Sequence, residues 1–154
     1  MPESLGQTVV ALGFDFGQKR IGIASGDSLT LGARPIRTVP CHSNAAVDWS
    51  AIDRCVREWD PAVFVVGVPY NMDGTPTALT EAAAAFGAEL SARHGRPVEL
   101  VDERLSSREA EDQLRHRRAT GERKRRVERG DIDAVAAAVL LEQWLRERSR
   151  LPRI

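Results

Sequence analysis

The chain has 154 residues, 42% hydrophobic and 29% charged, with 22 basic and 22 acidic side chains and a formal net charge of zero. That length supports one domain with a real core and is short for two, and no apolar run reaches the roughly 18 residues of a membrane span. Two cysteines, Cys41 and Cys55, make no disulfide framework, and the opening Met-Pro-Glu-Ser-Leu-Gly-Gln lacks the basic-then-apolar pattern of a signal peptide, so a reducing cytoplasm is the expected location.

Thr8 to Phe16 reads as a buried strand, nearly all apolar and rich in Val and Phe. Gly17-Gln18-Lys19 is a turn, and Arg20 to Ser25 completes a hairpin. Ala33 to Val39 is a third extended segment, which Pro35 places at an edge or makes irregular. A helix is predicted over Asn44 to Trp59, with Ile52, Cys55, Val56 and Trp59 on one stripe, which makes Cys55 a small core residue. After Pro61, Ala62 to Val68 is a short, wholly apolar strand of the kind found in parallel sheets covered on both faces. Pro69 to Gly74 is a loop. Thr75 and Pro76 read as N-cap and first residue of the next helix, which aligns Leu79, Ala83, Phe86 and Leu90 and stops at Gly95.

Pro97 to Val101 is another strand. Leu105-Ser106-Ser107-Arg108-Glu109-Ala110 matches a capping box with a hydrophobic staple, so a helix is expected right after Glu103. Residues from about 117 to 129 lack apolar periodicity and read as a mobile basic loop, and the last helix runs from about Ile132 to Glu147. The order β-β-β-α-β-α-β-α-α implies a single α/β domain over 1–154. Its expected architecture is one mixed five-stranded sheet, a three-strand antiparallel meander plus two parallel strands, with helices on both faces.

Zero net charge hides a local excess. Arg115, Arg117, Arg118, Arg123, Lys124, Arg125, Arg126 and Arg129 are opposed within their segment only by Glu122 and Glu128. A local patch, rather than the global balance, sets the field that a polyanion meets. The alternative reading is a solvated charged loop.

Three acids stand where apolar runs end or a helix opens. Asp15 ends the first strand and shares a face with Val9, Ala11 and Gly13, with Gly13 and Gly17 leaving room for a backbone or ligand. A hairpin aspartate bonded to local amides is an equal alternative. Glu103 lies at the carboxyl end of a strand, where α/β sheets place their sites, against the plainer reading of a solvated residue or a partner for Arg104. Asp133 shares a helical stripe with Ala137, Leu140 and Trp144, against the plainer reading of a first-turn acid facing the helix dipole. Carboxylates beside apolar packing need pairing, a proton or a cation. Three of them converging would make an oxygen-rich site for Mg²⁺ or Mn²⁺, chemistry suited to phosphodiester hydrolysis. Asp102 and Asp131 compete for places in the set, and Asp73 reads first as a turn residue. His42, His94 and His116 fall in loops or on polar helix surfaces, with no zinc spacing. Phe14-Asp15-Phe16-Gly17 has the letters of a kinase motif, but no other kinase element accompanies it.

Four segments together resemble one family. Leu12-Gly13-Phe14-Asp15-Phe16-Gly17-Gln18-Lys19-Arg20-Ile21-Gly22-Ile23-Ala24 is similar to the opening motif of the YqgF/RuvX family. Val66-Gly67-Val68-Pro69-Tyr70-Asn71-Met72-Asp73-Gly74 resembles its second motif, with Val68 and Tyr70 where Leu is usual. Asp102-Glu103-Arg104-Leu105-Ser106-Ser107 resembles the third and Asp131-Ile132-Asp133-Ala134-Val135-Ala136-Ala137 the fourth. They occur in order and cover nearly the whole chain.

The resemblance implies a ribonuclease H-like fold related to the junction resolvase RuvC. It implies a bacterial cytoplasmic nuclease trimming the 5′ end of precursor 16S rRNA, with Holliday-junction resolution on branched DNA as the alternative. Asp15, Glu103 and Asp133 would be its catalytic, metal-binding carboxylates. Lys19, Arg20, Arg104, Arg123, Lys124, Arg125 and Arg126 are the expected nucleic-acid contacts, and Tyr70 is the best stacking candidate. Ribosomal precursor particles are the expected partners, the chain acting as monomer or homodimer. A non-catalytic RNA-binding assembly factor is the competing class.

Overall fold

The architecture follows from alternation in the first strand. The computed structural model of the chain describes residues 8–41, 46–103 and 129–150. The expected capping box at Ser106, its helix and the basic segment as far as 128 lie outside them. Among the described residues are β1 (Val10–Phe16), β2 (Arg20–Asp27), β3 (Ala33–Pro40), α1 (Trp49–Trp59), β4 (Val63–Val68), α2 (Ala78–His94), β5 (Val98–Asp102) and α3 (Arg129–Arg150).

The strands form one sheet in the order β3-β2-β1-β4-β5. The β1–β2 and β2–β3 pairs are antiparallel, and the β1–β4 and β4–β5 pairs parallel, as the meander-plus-crossover pattern requires. Pro35 does lie on an edge strand. The register also shifts between Ile23 and Ala24, which pair with Arg37 and Pro35 and leave Ile36 without a counterpart.

Each face of the sheet has its own core. Leu12, Phe14 and Phe16 of β1 pack with Ile52, Cys55 and Val56 of α1 and Ala83, Phe86 and Leu90 of α2. Phe86 meets Phe14 edge-on at 5.5 Å between ring centroids and stacks on Trp49 at 5.3 Å. On the opposite face Ala11, Ala24 and Val65 pack against Ala137, Leu140, Leu141, Trp144 and Leu145 of α3. Cys55 is the core residue expected of it, and both cysteines are buried and neither is in a disulfide.

Local chemistry moved three helix starts. α1 begins at Trp49, not Asn44, because the Asp48 carboxylate accepts the Ala51 N–H at 3.1 Å. α2 is capped by Thr77, not Thr75: Thr77 and Thr80 exchange side-chain-to-backbone bonds in a capping box. Thr75 is spent in the preceding turn, donating to Asp73 Oδ1 from both its backbone N–H and its hydroxyl. α3 starts by Arg129, so Asp133 lies a full turn inside it and is no first-turn acid. His94 also departs from expectation. It sits between helices with its ring against Phe64 and Nε2 3.0 Å from Asp53 Oδ1. Gly95 stops α2 in the left-handed region, φ 65°, where a glycine costs least. No helix of the described residues is long and apolar enough to cross a membrane.

Candidate active site

Because Phe14 and Phe16 face α1 and α2, Asp15 faces α3 with Ala11 and Gly13. Its register neighbours on both sides are glycines, Gly22 of β2 and Gly67 of β4. Neither position has space for a side chain. A Cβ at Gly22 would stand 2.0 Å from the Asp133 carbonyl oxygen, and one at Gly67 would stand 2.6 Å from Leu140 Cδ1 and 3.1 Å from Glu103 Oε2. The two glycines clear the rung of Asp15 so that α3 and Glu103 can close over it. The space expected at Gly13 is taken by packing instead, since a Cβ there would meet Leu141 Cβ at 3.0 Å.

Glu103 follows β5, and its N–H donates to the Val68 carbonyl at 3.2 Å, which holds it at the end of β4. Its side chain shares a hydrogen bond with Asp15. Glu103 Oε2 is buried and has no hydrogen-bond partner among the described residues. Asp102 is exposed, and its charge still acts on Glu103. Asp133 brings its carboxylate from α3, where Oδ2 accepts the Nε–H of Arg20 at 2.6 Å.

Burial sets the electrostatics. It raises the Asp15 carboxyl above its ordinary range; the Glu103 bond lowers it in part, and the Asp133 charge raises it again. Burial, then the bond to Asp15 and its charge, then Asp102 and Asp133, push Glu103 up to about 10. Two carboxyls that share a hydrogen bond need a proton between them, and the pair titrates as a unit. Among the described residues no three Asp, Glu, His or Cys side chains stand ready to hold an ion as they are.

The structure therefore gathers Asp15, Glu103, Asp133 and Arg20. The hairpin-amide reading of Asp15 fails, because its carboxyl bonds Glu103. The solvated reading of Glu103 fails with the burial of Oε2. Lys19 is exposed beside the group, and its carbonyl accepts the Cys41 N–H at 2.8 Å. Tyr70 packs against the core, half-buried, rather than standing free for stacking. Arg104, Arg123, Lys124, Arg125, Arg126 and the side chain of Asp131 lie outside the described residues. Sequence reasoning missed Gly22, Gly67 and the tie from Arg20 to Asp133. A signal was present: Arg20, Gly22, Ala24 and Gly26 give β2 one face of small residues behind a single cation.

The family model described as "RuvX: Holliday junction resolvase" matches residues 9–147, a span that includes all three acids. The chain belongs to the RuvX family. A relative in Xanthomonas campestris pv. campestris (strain 8004), named "Putative pre-16S rRNA nuclease", is 44% identical over 147 residues and 94% of each chain. Relatives of the same name occur in Xylella fastidiosa (strain M23), 45% identical over 88% of this chain and 86% of that protein, and in Azotobacter vinelandii, 44% identical over 89% and 93%. The RuvX chain also shares its fold with Thermus thermophilus RuvC in complex with a Holliday junction substrate, at TM-score 0.55 and 15% identity, covering 92% and 96% of the two chains. A fowlpox virus resolvase bound to junction DNA aligns at TM-score 0.51 and 12% identity over 93% and 100%. The mixed sheet with helices on both faces is thus the ribonuclease H-like fold expected from the sequence.

Proposed function

We propose that this chain is a divalent-metal-dependent nuclease that processes the 5′ end of precursor 16S rRNA. It would act in the cytoplasm on ribosomal precursor particles, as a monomer or homodimer. The observation that carries the reading is the half-buried Asp15–Glu103 pair with its buried, orphaned Glu103 Oε2, facing Asp133 at the carboxyl ends of parallel strands. A buried carboxylate oxygen without a partner is costly, and a cation relieves that cost.

The donor set fits a hard ion: three carboxylates and no sulfur or imidazole suit Mg²⁺ or Mn²⁺. Asp15, Glu103 and Asp133 would hold it. When bound, such an ion supplies Lewis-acid stabilisation of phosphoryl charge and an activated water. The protein's own part is positioning. β1 holds Asp15 on the rung between Gly22 and Gly67, Glu103 follows β5, and α3 carries Asp133; the two glycines let Glu103 and α3 approach Asp15, and desolvation strengthens the electrostatic interactions among them. Lys19 and the basic residues of 115–129 would bind the flanking phosphates.

The decisive experiment compares wild type and Asp15→Asn in Mn²⁺ on precursor 16S rRNA and on a four-way DNA junction. Cleavage of the rRNA should fall at least about 10³-fold in the variant, as for loss of a principal catalytic group, while RNA binding is kept or tightens. Cleavage confined to the junction would favour the resolvase activity in the family's description. Binding without cleavage of either substrate would favour the assembly-factor class.

A further inference from the structure

Arg20 opens β2 on the face shared with Gly22, which lies against the Asp133 backbone. Its Nε–H donates to Asp133 Oδ2 at 2.6 Å across 113 residues of chain, a short charge-assisted bond. The grip is nevertheless incomplete. It is monodentate: among the described residues neither Nη group of Arg20 has a hydrogen-bond acceptor. The side chains of Arg20 and Asp133 are 32% and 24% exposed. A guanidinium committed to a carboxylate presents its planar fork with two parallel bonds, and that fork matches a phosphodiester equally well. Asp15 and Glu103 meanwhile bond each other, so of the three acids only Asp133 is held by a cation among the described residues.

We propose that Arg20 is the resident counter-cation of this site. A divalent ion displaces it from Asp133, and the released guanidinium takes a non-bridging oxygen of the substrate phosphodiester. The proposal rests on the nuclease reading above and adds a coupling to it: one exchange makes Asp133 available to the ion and Arg20 available to the phosphate. Without the ion, both are withheld.

Two measurements on the full chain test the exchange, with circular dichroism to check folding of each variant. In calorimetric titration with Mn²⁺, Arg20→Gln should bind the ion about two- to fivefold more tightly than wild type, the scale of a partly exposed ion pair, with Arg20→Lys between them. Unchanged or weaker Mn²⁺ binding in Arg20→Gln overturns the displacement. The second measurement is metal-free: anisotropy of a labelled single-stranded RNA in chelator, for wild type, Arg20→Gln, Asp133→Asn and the double variant. Loss of the Asp133 charge tightens binding in either background. Release of Arg20 adds about a further two- to fivefold only where Arg20 is present. An equal effect of Asp133→Asn in both backgrounds overturns the hand-over. The nuclease reading fails differently: wild type and Asp15→Asn would give the same blank Mn²⁺ titration, and the exchange would fall with it.

Discussion

A carboxyl is expensive to bury, and Asp15 and Glu103 are half-buried together, with Glu103 Oε2 wholly shielded. Their shared proton makes the site sensitive to pH in a direction that can be worked out. Glu103 moves from 4.5 in its ordinary state to about 10 in the fold. The native state thus keeps a proton that the unfolded chain releases, so its stabilising effect is whole below the lower value and is lost as pH rises toward the upper one. Thermal denaturation of metal-free protein should show a midpoint that falls steadily between about pH 5 and pH 9. Glu103→Gln, which keeps an amide in the bond without the titrating proton, should flatten that slope. A wild-type midpoint independent of pH would show that the pair is not protonated in the fold. Of this pairing the sequence showed the two residues and their exposure to apolar neighbours. It did not show the bond, because Asp15 and Glu103 meet only when β1 and β5 flank β4.

Helix α3 docks on a surface that β2 has to keep clear. At Gly22 the obstacle is backbone: a Cβ would stand 2.0 Å from the Asp133 oxygen and 2.2 Å from its carbonyl carbon. Main chain cannot rotate away as a side chain can, so Gly22→Ala should lift the start of α3 and cost about 1–3 kcal/mol in urea unfolding. Gly32→Ala is the control, since its Cβ would meet only Thr30 Oγ1 at 3.4 Å, and it should stay within about 0.5 kcal/mol. A loss at Gly22 no larger than at Gly32 would mean that α3 yields freely. The elements themselves were largely legible. A nearly all-apolar run placed β1, the turn at Gly17-Gln18-Lys19 placed β2 as its hairpin partner, and the stripe of Ile52, Cys55 and Val56 placed α1. The starts of helices were not, because Thr75 and Thr77 both satisfy the local rules for a cap. The choice fell to Thr77 because Asp73 claims Thr75.

Across the whole molecule, equal numbers of charges are unequally spread. The carboxylates gather at the carboxyl ends of β1 and β5, with β4 and its Gly67 between them. A dense basic run occupies 115–129 of the sequence. A polyanion held by such a run releases counterions, so its affinity falls steeply with salt. Replacing Arg123, Lys124, Arg125 and Arg126 with Gln should weaken single-stranded RNA binding and reduce the log–log salt slope by about 0.7 for each phosphate contact removed. An unchanged slope would take the run out of the interface.

Periodicity is local, so it could be read from the chain alone. A period of two put Asp15 on the face opposite Phe14 and Phe16, and a helical period put Asp133 on the stripe of Ala137, Leu140 and Trp144. Everything that depends on which strand lies beside which had to wait for the fold. The order β2-β1-β4-β5 sets Gly22 and Gly67 on either side of Asp15 and brings Glu103 to it from 88 residues away. Docking of α3 then turns Arg20, one of two cations beside a turn by sequence, into the partner of Asp133. Sequence spacing encodes faces; only tertiary packing decides which faces meet, and at this site that meeting is what joins three acids to one guanidinium.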